Sequence, residues 1–148
     1  MENGLPPNVV YTGWLSEMQV HCLIERACIG FLSYTRSALQ SLPNKVFEYM
    51  ASGVAIVSSL EREAKDLIDS FECGVSYQAG NVQSMACAVA TLLDDDVRCR
   101  KYGANGRRAF EDGFRPEVIY SRMSRHLEMV ACSVRDLSGS ANEIAVSR

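Results

Sequence analysis

Short apolar runs alternate with amphipathic segments along the first two thirds of the sequence, and this alternation constrains the fold more than any other feature. The runs are Val9–Thr12, CIGFLSY at 28–34, VAIVSS at 54–59 and VSYQ at 75–78. The patterns between them have helical spacing, and one of these helices has Pro43 at its first position and Gly53 at its end. Strands that alternate with helices imply a parallel sheet with right-handed crossovers. We therefore predict an α/β fold with four parallel strands and flanking helices.

The last third of the sequence is predicted to be helical. After residue 81 the chain keeps helical spacing of its apolar residues through Asp136. Residues 138–148 are small and polar without a period, so we expect them to be flexible, and we expect the same of residues 1–7. This organisation predicts one lobe over residues 8–137 between two flexible termini.

Composition and charge exclude several classes of function. The 148 residues are 47% hydrophobic and 22% charged, which is typical of one soluble domain. The net charge of -3 gives no basic field for nucleic acid. No apolar run reaches the ~18 residues of a membrane span, so any contact with a membrane is expected to be peripheral. The six cysteines are irregularly spaced without a CxxC pair, which favours reduced, core-filling cysteines in the cytoplasm.

The segment SLPNKVFEYM, residues 41–50, carries the side chains with the clearest chemical potential. It follows a predicted strand, and ligands of open parallel sheets bind beyond the carboxyl ends of strands. A helix that begins near Pro43 would direct unpaired N–H groups toward that crevice, where a phosphate could bind. Lys45 adds a cation, and Glu48 could accept hydrogen bonds from the diol of a ribose or hexose. In the alternative reading, Lys45 and Glu48 form an exposed ion pair worth about 0.2–0.5 kcal/mol.

Other candidate sites are weaker. His21 lies on a predicted helix without a carboxylate or cysteine pattern that would make a metal site. Three consecutive carboxylates, Asp94 to Asp96, stand at the junction of two predicted helices, where an N-cap is a more common role than metal binding. We therefore expect no metal site.

The ordered motifs resemble the C-terminal, donor-binding lobe of GT-B glycosyltransferases of family 4. PNKVFEYMASG is similar to the donor-site helix of that family and is the most specific part of the resemblance. Segments similar to other parts of the lobe occur in the same order, and the likeness runs from about Asn8 to Val130: NVVYTGW, ERACIGFLSY, ECGVSYQAGN with VQSMACAVATLLDD, and KYGANGRRAFEDGFRPE. The resemblance implies a Rossmann-like lobe and transfer of a sugar, with retention, from a nucleotide diphosphate sugar to a saccharide or lipid acceptor. It implies no cofactor besides this donor substrate.

The resemblance also implies roles for individual residues. In the family, two glutamates separated by seven residues line the donor site, the first near the transferred sugar and the second at the ribose. Glu48 matches the second position, and Gln40 stands where the first glutamate would be, so an uncharged amide occupies the catalytic position.

The residues between Gln40 and Glu48 correspond to the part of the donor site that binds phosphate or sugar. The resemblance assigns backbone N–H groups around Ser41 and Leu42 to this role, with Asn44 and Lys45 beside them.

Complete members of the family have an N-terminal acceptor lobe and two more strands with a basic pair that grips the diphosphate. The sequence therefore resembles an incomplete lobe, whose partner is expected to be the missing lobe or a second copy of the chain. Gln40 motivates an alternative, a non-catalytic module that binds a nucleotide sugar or completes a partner enzyme. A receiver-type interaction domain is disfavoured because the strand ends lack an acidic pocket with a phosphoacceptor aspartate.

Overall fold

The computed structural model describes the backbone of residues 6–145 and the side chains of residues 6–133. Its helices and strands, in chain order, are α1 (Glu17–Ile24), β1 (Ile29–Leu32), α2 (Asn44–Ser52), β2 (Ala55–Ser58), α3 (Glu63–Ser70), β3 (Gly74–Ser76), α4 (Val82–Leu93), α5 (Asp96–Gly113) and α6 (Pro116–Ala145). Chain contacts divide the protein into two units, Met1–Arg107 and Arg108–Arg148.

The first unit contains a three-stranded parallel sheet with the order β1-β2-β3. Ile29 pairs with Ala55, and Ile56 pairs with Gly74. Helices α2 and α3 are the two crossovers between neighbouring strands, and α4 follows the last strand. The predicted α/β class, with a parallel sheet, flanking helices and a helical C-terminal part, is confirmed, and the architecture is Rossmann-like.

The core of this unit lies around the central strand. All four residues of β2 are buried, as expected for a parallel strand with neighbours on both sides. Ala55 and Val57 pack with Ala88 and Leu92 of α4 and with Cys99 of α5.

Helices α2 and α3 contribute a second set of buried side chains. Val46 and Met50 of α2 and Ala64 and Ile68 of α3 have no exposed surface. Burial of these four side chains determines which face of each crossover helix is turned toward the core.

The predicted strand at Val9–Thr12 is wrong. The structure has no regular hydrogen-bonded element there, and Val10 and Tyr11 are 81% and 75% exposed. β-branched and aromatic residues favour a strand only where they pack against a neighbouring strand, and none of the described strands pairs with this segment. The fold therefore has three described strands rather than four.

The apolar run at 28–34 forms β1 as predicted, but it is not covered on both faces. Phe31 is 43% exposed, whereas Leu32 is buried. β1 is an edge strand of the described sheet. An edge position gives a strand fewer neighbours than the central position of β2.

Close contact with β1 fixes the position of α2. Gly30 lies under the Tyr49 ring, where an added Cβ would be 2.6 Å from ring carbons. The Tyr49 hydroxyl donates a hydrogen bond of 3.3 Å to the carbonyl of Phe31. At the other end, Gly53 ends the helix with a φ of 69°, a left-handed conformation that glycine adopts without strain. The prediction for Gly53 is confirmed, but Pro43 is the N-cap rather than the first helical residue.

The cysteines have two environments, which corrects the expectation that they fill the core. Cys73 and Cys99 are buried, and the other four are exposed: Cys22, Cys28, Cys87 and Cys132. All six are free thiols. Burial raises the pKa of the Cys73 thiol to about 11, so this group is neutral at physiological pH.

The second unit consists of the end of α5 and the helix α6. Helix α6 begins at Pro116, as predicted, and its backbone continues to Ala145, beyond the expected end near Asp136. The flexibility expected for residues 1–7 and 138–148 stays a prediction: residues 1–5 and 146–148 lie outside the described residues, and the described backbone of 138–145 is helical. Among the described residues, no helix has the length and apolar character that a membrane crossing requires.

Candidate functional site

The carboxyl ends of β1 and β2 are joined by Ser59. Its hydroxyl accepts a hydrogen bond of 2.7 Å from the Tyr34 amide and lies 2.9 Å from the Tyr34 carbonyl. The Ser59 amide donates to the carbonyl of Leu32, so the chain is tied to β1 through both backbone and side chain. Ser59 is 4% exposed. These bonds fix the positions of the loops that follow the two strands relative to each other.

A small cavity of about 70 Å³ lies where these two loops meet. The loop after β1 and the segment after β2 form its walls, which comprise Thr35, Arg36, Ala38, Leu39, Gln40, Ser41, Ser59, Leu60, Glu61 and Arg62. Its position is where a ligand of a parallel α/β sheet is expected. Its volume is far below the ~300–1,000 Å³ of pockets that enclose whole drug-sized ligands. It can therefore hold only one group of a larger ligand.

The amino end of α2 is open. Its N-cap is Pro43, which makes no side-chain capping bond, and its first turn contains no acidic residue. Among the residues that the structure describes, the amides of Asn44 and Lys45 have no hydrogen-bond acceptor. Such amides and the positive end of the helix dipole favour an anion.

Lys45 and Glu48 form the ion pair of the alternative reading. Lys45 Nζ lies 2.5 Å from Glu48 Oε2, and the two side chains are 38% and 45% exposed. The carboxylate is therefore not free, although among the described side chains no donor contacts its Oε1 atom. A carboxylate has about four lone-pair positions, so Glu48 can accept a further hydroxyl.

A groove of about 520 Å³ runs between α1 and α2 beside this pair. On the α1 side, the apolar side chains of the groove are Leu15, Val20 and Ile24, and Glu17 and His21 line the same side. Lys45 and Glu48 line the α2 side. A groove that combines apolar side chains with polar and charged groups suits a ligand that has both apolar and polar parts.

The structure divides the predicted site residues into two groups. Gln40 and Ser41 line the cavity at the strand ends, whereas Lys45 and Glu48 line the groove. The remaining two, Leu42 and Asn44, are exposed and lie on the chain between the cavity and the groove. A ligand that contacts both groups must extend across the amino end of α2.

The side chain of Tyr49 lies between α2 and β1. Burial raises the pKa of its phenol, although the charge of Lys45 acts in the opposite direction. The phenol is therefore neutral at physiological pH and donates a hydrogen bond to the Phe31 carbonyl. Its role is to position α2.

The weaker candidates have structural partners. Asp95 accepts a hydrogen bond of 2.9 Å from the Arg98 amide, which confirms that the acidic run caps α5. His21 has a carboxylate nearby after all, because its Nε2 lies 3.3 Å from Glu25 Oε1, one helical turn away. Within residues 6–133, no three side chains of His, Cys, Asp or Glu gather in a manner suited to a metal ion.

Comparison with protein families decides the kind of protein to which this site belongs. The profile of the family described as "Glycosyl transferases group 1" matches residues 1–95. The chain belongs to this family. Neither a curated protein nor a solved structure gives a match. The matched residues include the cavity, the groove and the whole of α2, so the site lies inside the family region.

Of the ten residues that line the cavity, only Gln40 and Ser41 were predicted as site residues, and three of the others bear on its chemistry. Ser59, Arg36 and Arg62 follow the carboxyl ends of β1 and β2, but none of them belongs to a recognisable spacing pattern. Arg62 has a φ of 57° and a ψ of -131°, a backbone conformation that residues other than glycine rarely adopt. Only the position of these residues after parallel strands could have indicated them.

Proposed function

We propose that this protein supplies the donor-binding part of a glycosyltransferase that uses a nucleotide diphosphate sugar. One observation carries the proposal: the amino end of α2 lies within the family match, without a side-chain cap, between residues that line a polar cavity and residues that line a groove with apolar side chains. A nucleotide sugar has an apolar base, hydroxyls, a diphosphate and a sugar in sequence. This order of chemical groups fits the order of the three surfaces.

In this arrangement, the nucleoside occupies the groove beside α1. The apolar side chains Leu15, Val20 and Ile24 contact the base, and the ribose hydroxyls donate to Glu48 Oε1. Lys45 holds the other carboxylate oxygen and keeps the Glu48 side chain in place.

The diphosphate lies across the amino end of α2. The free amides of Asn44 and Lys45 donate to its oxygens, and the helix dipole stabilises the negative charge of the leaving group. Ser41 and Leu42 stand at the next position along the chain, so the diphosphate extends toward the cavity and the transferred sugar lies at the mouth of the cavity, beside Gln40.

Gln40 faces the transferred sugar in this proposal. Its amide can hydrogen bond to the sugar, but it carries no charge that would stabilise an oxocarbenium-like transition state. Glu61 is the carboxylate that the cavity wall contains, and the structure gives it no ion-pair partner among the described side chains. Transfer with retention to a saccharide or lipid acceptor, in the cytoplasm and together with an acceptor-binding partner, completes the proposal.

A calorimetric titration of the whole chain with UDP, GDP and their sugar conjugates tests the proposal. The Glu48→Gln variant should bind the preferred nucleotide about tenfold or more weakly, because a charge-assisted hydrogen bond is lost. Asp69→Asn is a matched control, because Asp69 also pairs with a lysine on an exposed helix face. The control should bind like the unchanged chain. Equal affinity in Glu48→Gln and in the unchanged chain would contradict the proposal.

Gln40 also supports a second candidate, a module that binds the donor without catalysing transfer. Mass spectrometry of products with added acceptors distinguishes the two. Sugar transfer by the unchanged chain supports the enzyme, and transfer that appears only in Gln40→Glu supports a module that has lost its catalytic carboxylate.

A further inference from the structure

Two arginines line the cavity at the strand ends. Arg36 belongs to the loop that follows β1, and Arg62 precedes the first residue of α3. Neither guanidinium has an ion pair or hydrogen bond among the described residues. Unpaired arginines are common on surfaces, but two that converge on one small polar cavity form a local positive site.

The balance of charge in the cavity wall favours an anion. Arg36 and Arg62 contribute two positive charges, and Glu61 contributes one negative charge. No oxygen of Glu61 lies within 4.0 Å of either guanidinium among the described contacts. The five donors of each guanidinium therefore remain available, in the planar geometry that matches phosphate oxygens.

The backbone of Arg62 is strained at this position. Its φ of 57° with ψ of -131° favours glycine, so the arginine side chain is retained at a cost in stability. Two hydrogen bonds keep the surrounding wall in place: the Ala64 amide donates to the Ser41 carbonyl, and the Asp66 amide donates to the Arg62 carbonyl. A residue whose conformation costs stability is a candidate for a role in binding.

We propose that Arg36 and Arg62 bind the distal phosphate of the nucleotide diphosphate donor, so that the donor is held from both loops of the cavity. This inference rests on the proposed function, because it places the end of the diphosphate beyond the amino end of α2. The small volume of the cavity fits a phosphate group rather than a nucleoside. The two arginines thereby act as positioning residues for the bond between phosphate and sugar.

Calorimetry with inorganic pyrophosphate and with the preferred nucleoside diphosphate tests the assignment. Arg36→Gln and Arg62→Gly should each weaken the binding of both probes by about tenfold, the loss expected for one charge-assisted contact. The nucleoside without phosphate should bind all variants equally. Raising the salt concentration should weaken binding to the unchanged chain more than to the variants.

Arg62→Gly also separates a binding role from a structural one. Glycine relieves the unfavourable φ, so the melting temperature should not fall although pyrophosphate binding weakens. Glu72→Gly is a matched control, since Glu72 has a φ of 46° and does not line the cavity, and Arg26→Gln removes an exposed charge elsewhere. Both controls should bind pyrophosphate normally.

The outcomes distinguish this inference from the proposed function. If Glu48→Gln loses nucleotide binding and both arginine variants keep it, the arginine assignment is wrong and the donor site stands. If the arginine variants lose pyrophosphate binding and Glu48→Gln keeps full nucleotide affinity, the anion site stands and the nucleoside site is wrong. Absence of pyrophosphate binding to the folded, unchanged chain overturns the arginine assignment.

Discussion

The amino ends of α2 and α4 differ in how the helix satisfies its first amides. At α4, the Asn81 side chain accepts a hydrogen bond of 2.9 Å from the Ser84 amide. At α2, Pro43 has no side-chain acceptor, and the equivalent amide, that of Val46, donates to the Pro43 carbonyl instead. A side-chain cap stabilises the start of a helix. A start without one leaves its amides accessible to an anionic ligand.

The other helix starts of the first unit resemble α4 rather than α2. Ser16 and Gln19 form a reciprocal capping box at α1, and Asp95 caps α5. Helix α3 lacks a side-chain cap, but its Ala64 amide donates to the Ser41 carbonyl and its first turn is acidic. Among α1 to α5, the start with neither a side-chain cap nor an acidic first turn is therefore that of α2, beside the proposed donor site.

The largest effect on nucleotide affinity is expected from a variant that adds a side-chain cap to the amino end of α2. Pro43→Asp places a carboxylate at the N-cap, where it should accept a bond from the open amides and repel the diphosphate. We expect nucleotide affinity to fall about 100-fold, the loss of one or two charge-assisted hydrogen bonds, while the free energy of unfolding changes by about 1 kcal/mol or less. Calorimetry and denaturant unfolding measure the two quantities. Pro43→Ala, which adds neither cap nor charge, should keep its affinity.

A second test moves α2 without changing its first turn. Gly30→Ala places a Cβ against the Tyr49 ring and should destabilise the fold by about 1–3 kcal/mol through overpacking. Thermal unfolding measures the effect, and nucleotide affinity should fall with it because α2 is displaced from β1. Gly113→Ala is the control, since an added Cβ there meets no atom within 4 Å. Equal melting temperatures of Gly30→Ala and the unchanged chain would contradict the contact between Gly30 and Tyr49.

The smallest effect on nucleotide affinity is expected from a substitution at the N-cap of α4. Asn81→Ala removes the bond to the Ser84 amide and should lower the free energy of unfolding by about 1 kcal/mol. Nucleotide affinity should not change, because α4 does not line the cavity or the groove. Urea unfolding and calorimetry on the same variant provide both values. A loss of affinity equal to that of Pro43→Asp would remove the distinction between the two helix ends.

Sequence reasoning predicted the parts of the fold that depend on local pattern. The alternation of apolar runs with amphipathic segments identified β1, β2, β3 and their crossover helices, because buried strands and helix stripes have distinct periods. Val9–Thr12 was mispredicted because its composition satisfies strand propensity, whereas strand formation depends on a neighbour that no local pattern reveals.

The candidate site was predicted only in part. The segment from Gln40 to Glu48 was found because it combines a helix start with polar residues after a strand. Its division between a cavity and a groove depends on where the loops after β1 and β2 meet and on the position of α1 beside α2, which sequence spacing does not reveal. Arg36 and Arg62 reach the same cavity from distant parts of the chain for the same reason.

Two-dimensional amide NMR of the whole chain during titration with UDP or GDP would show whether the start of α2 binds the nucleotide. We expect the largest shifts of the amide resonances at Asn44 and Lys45, at the start of α2. The amide of Ser84, which is already bonded to Asn81, should show little change. Saturable shifts of the Asn44 and Lys45 amides would support donor binding at α2. Unchanged resonances at both positions, with a folded spectrum and saturating nucleotide, would contradict it.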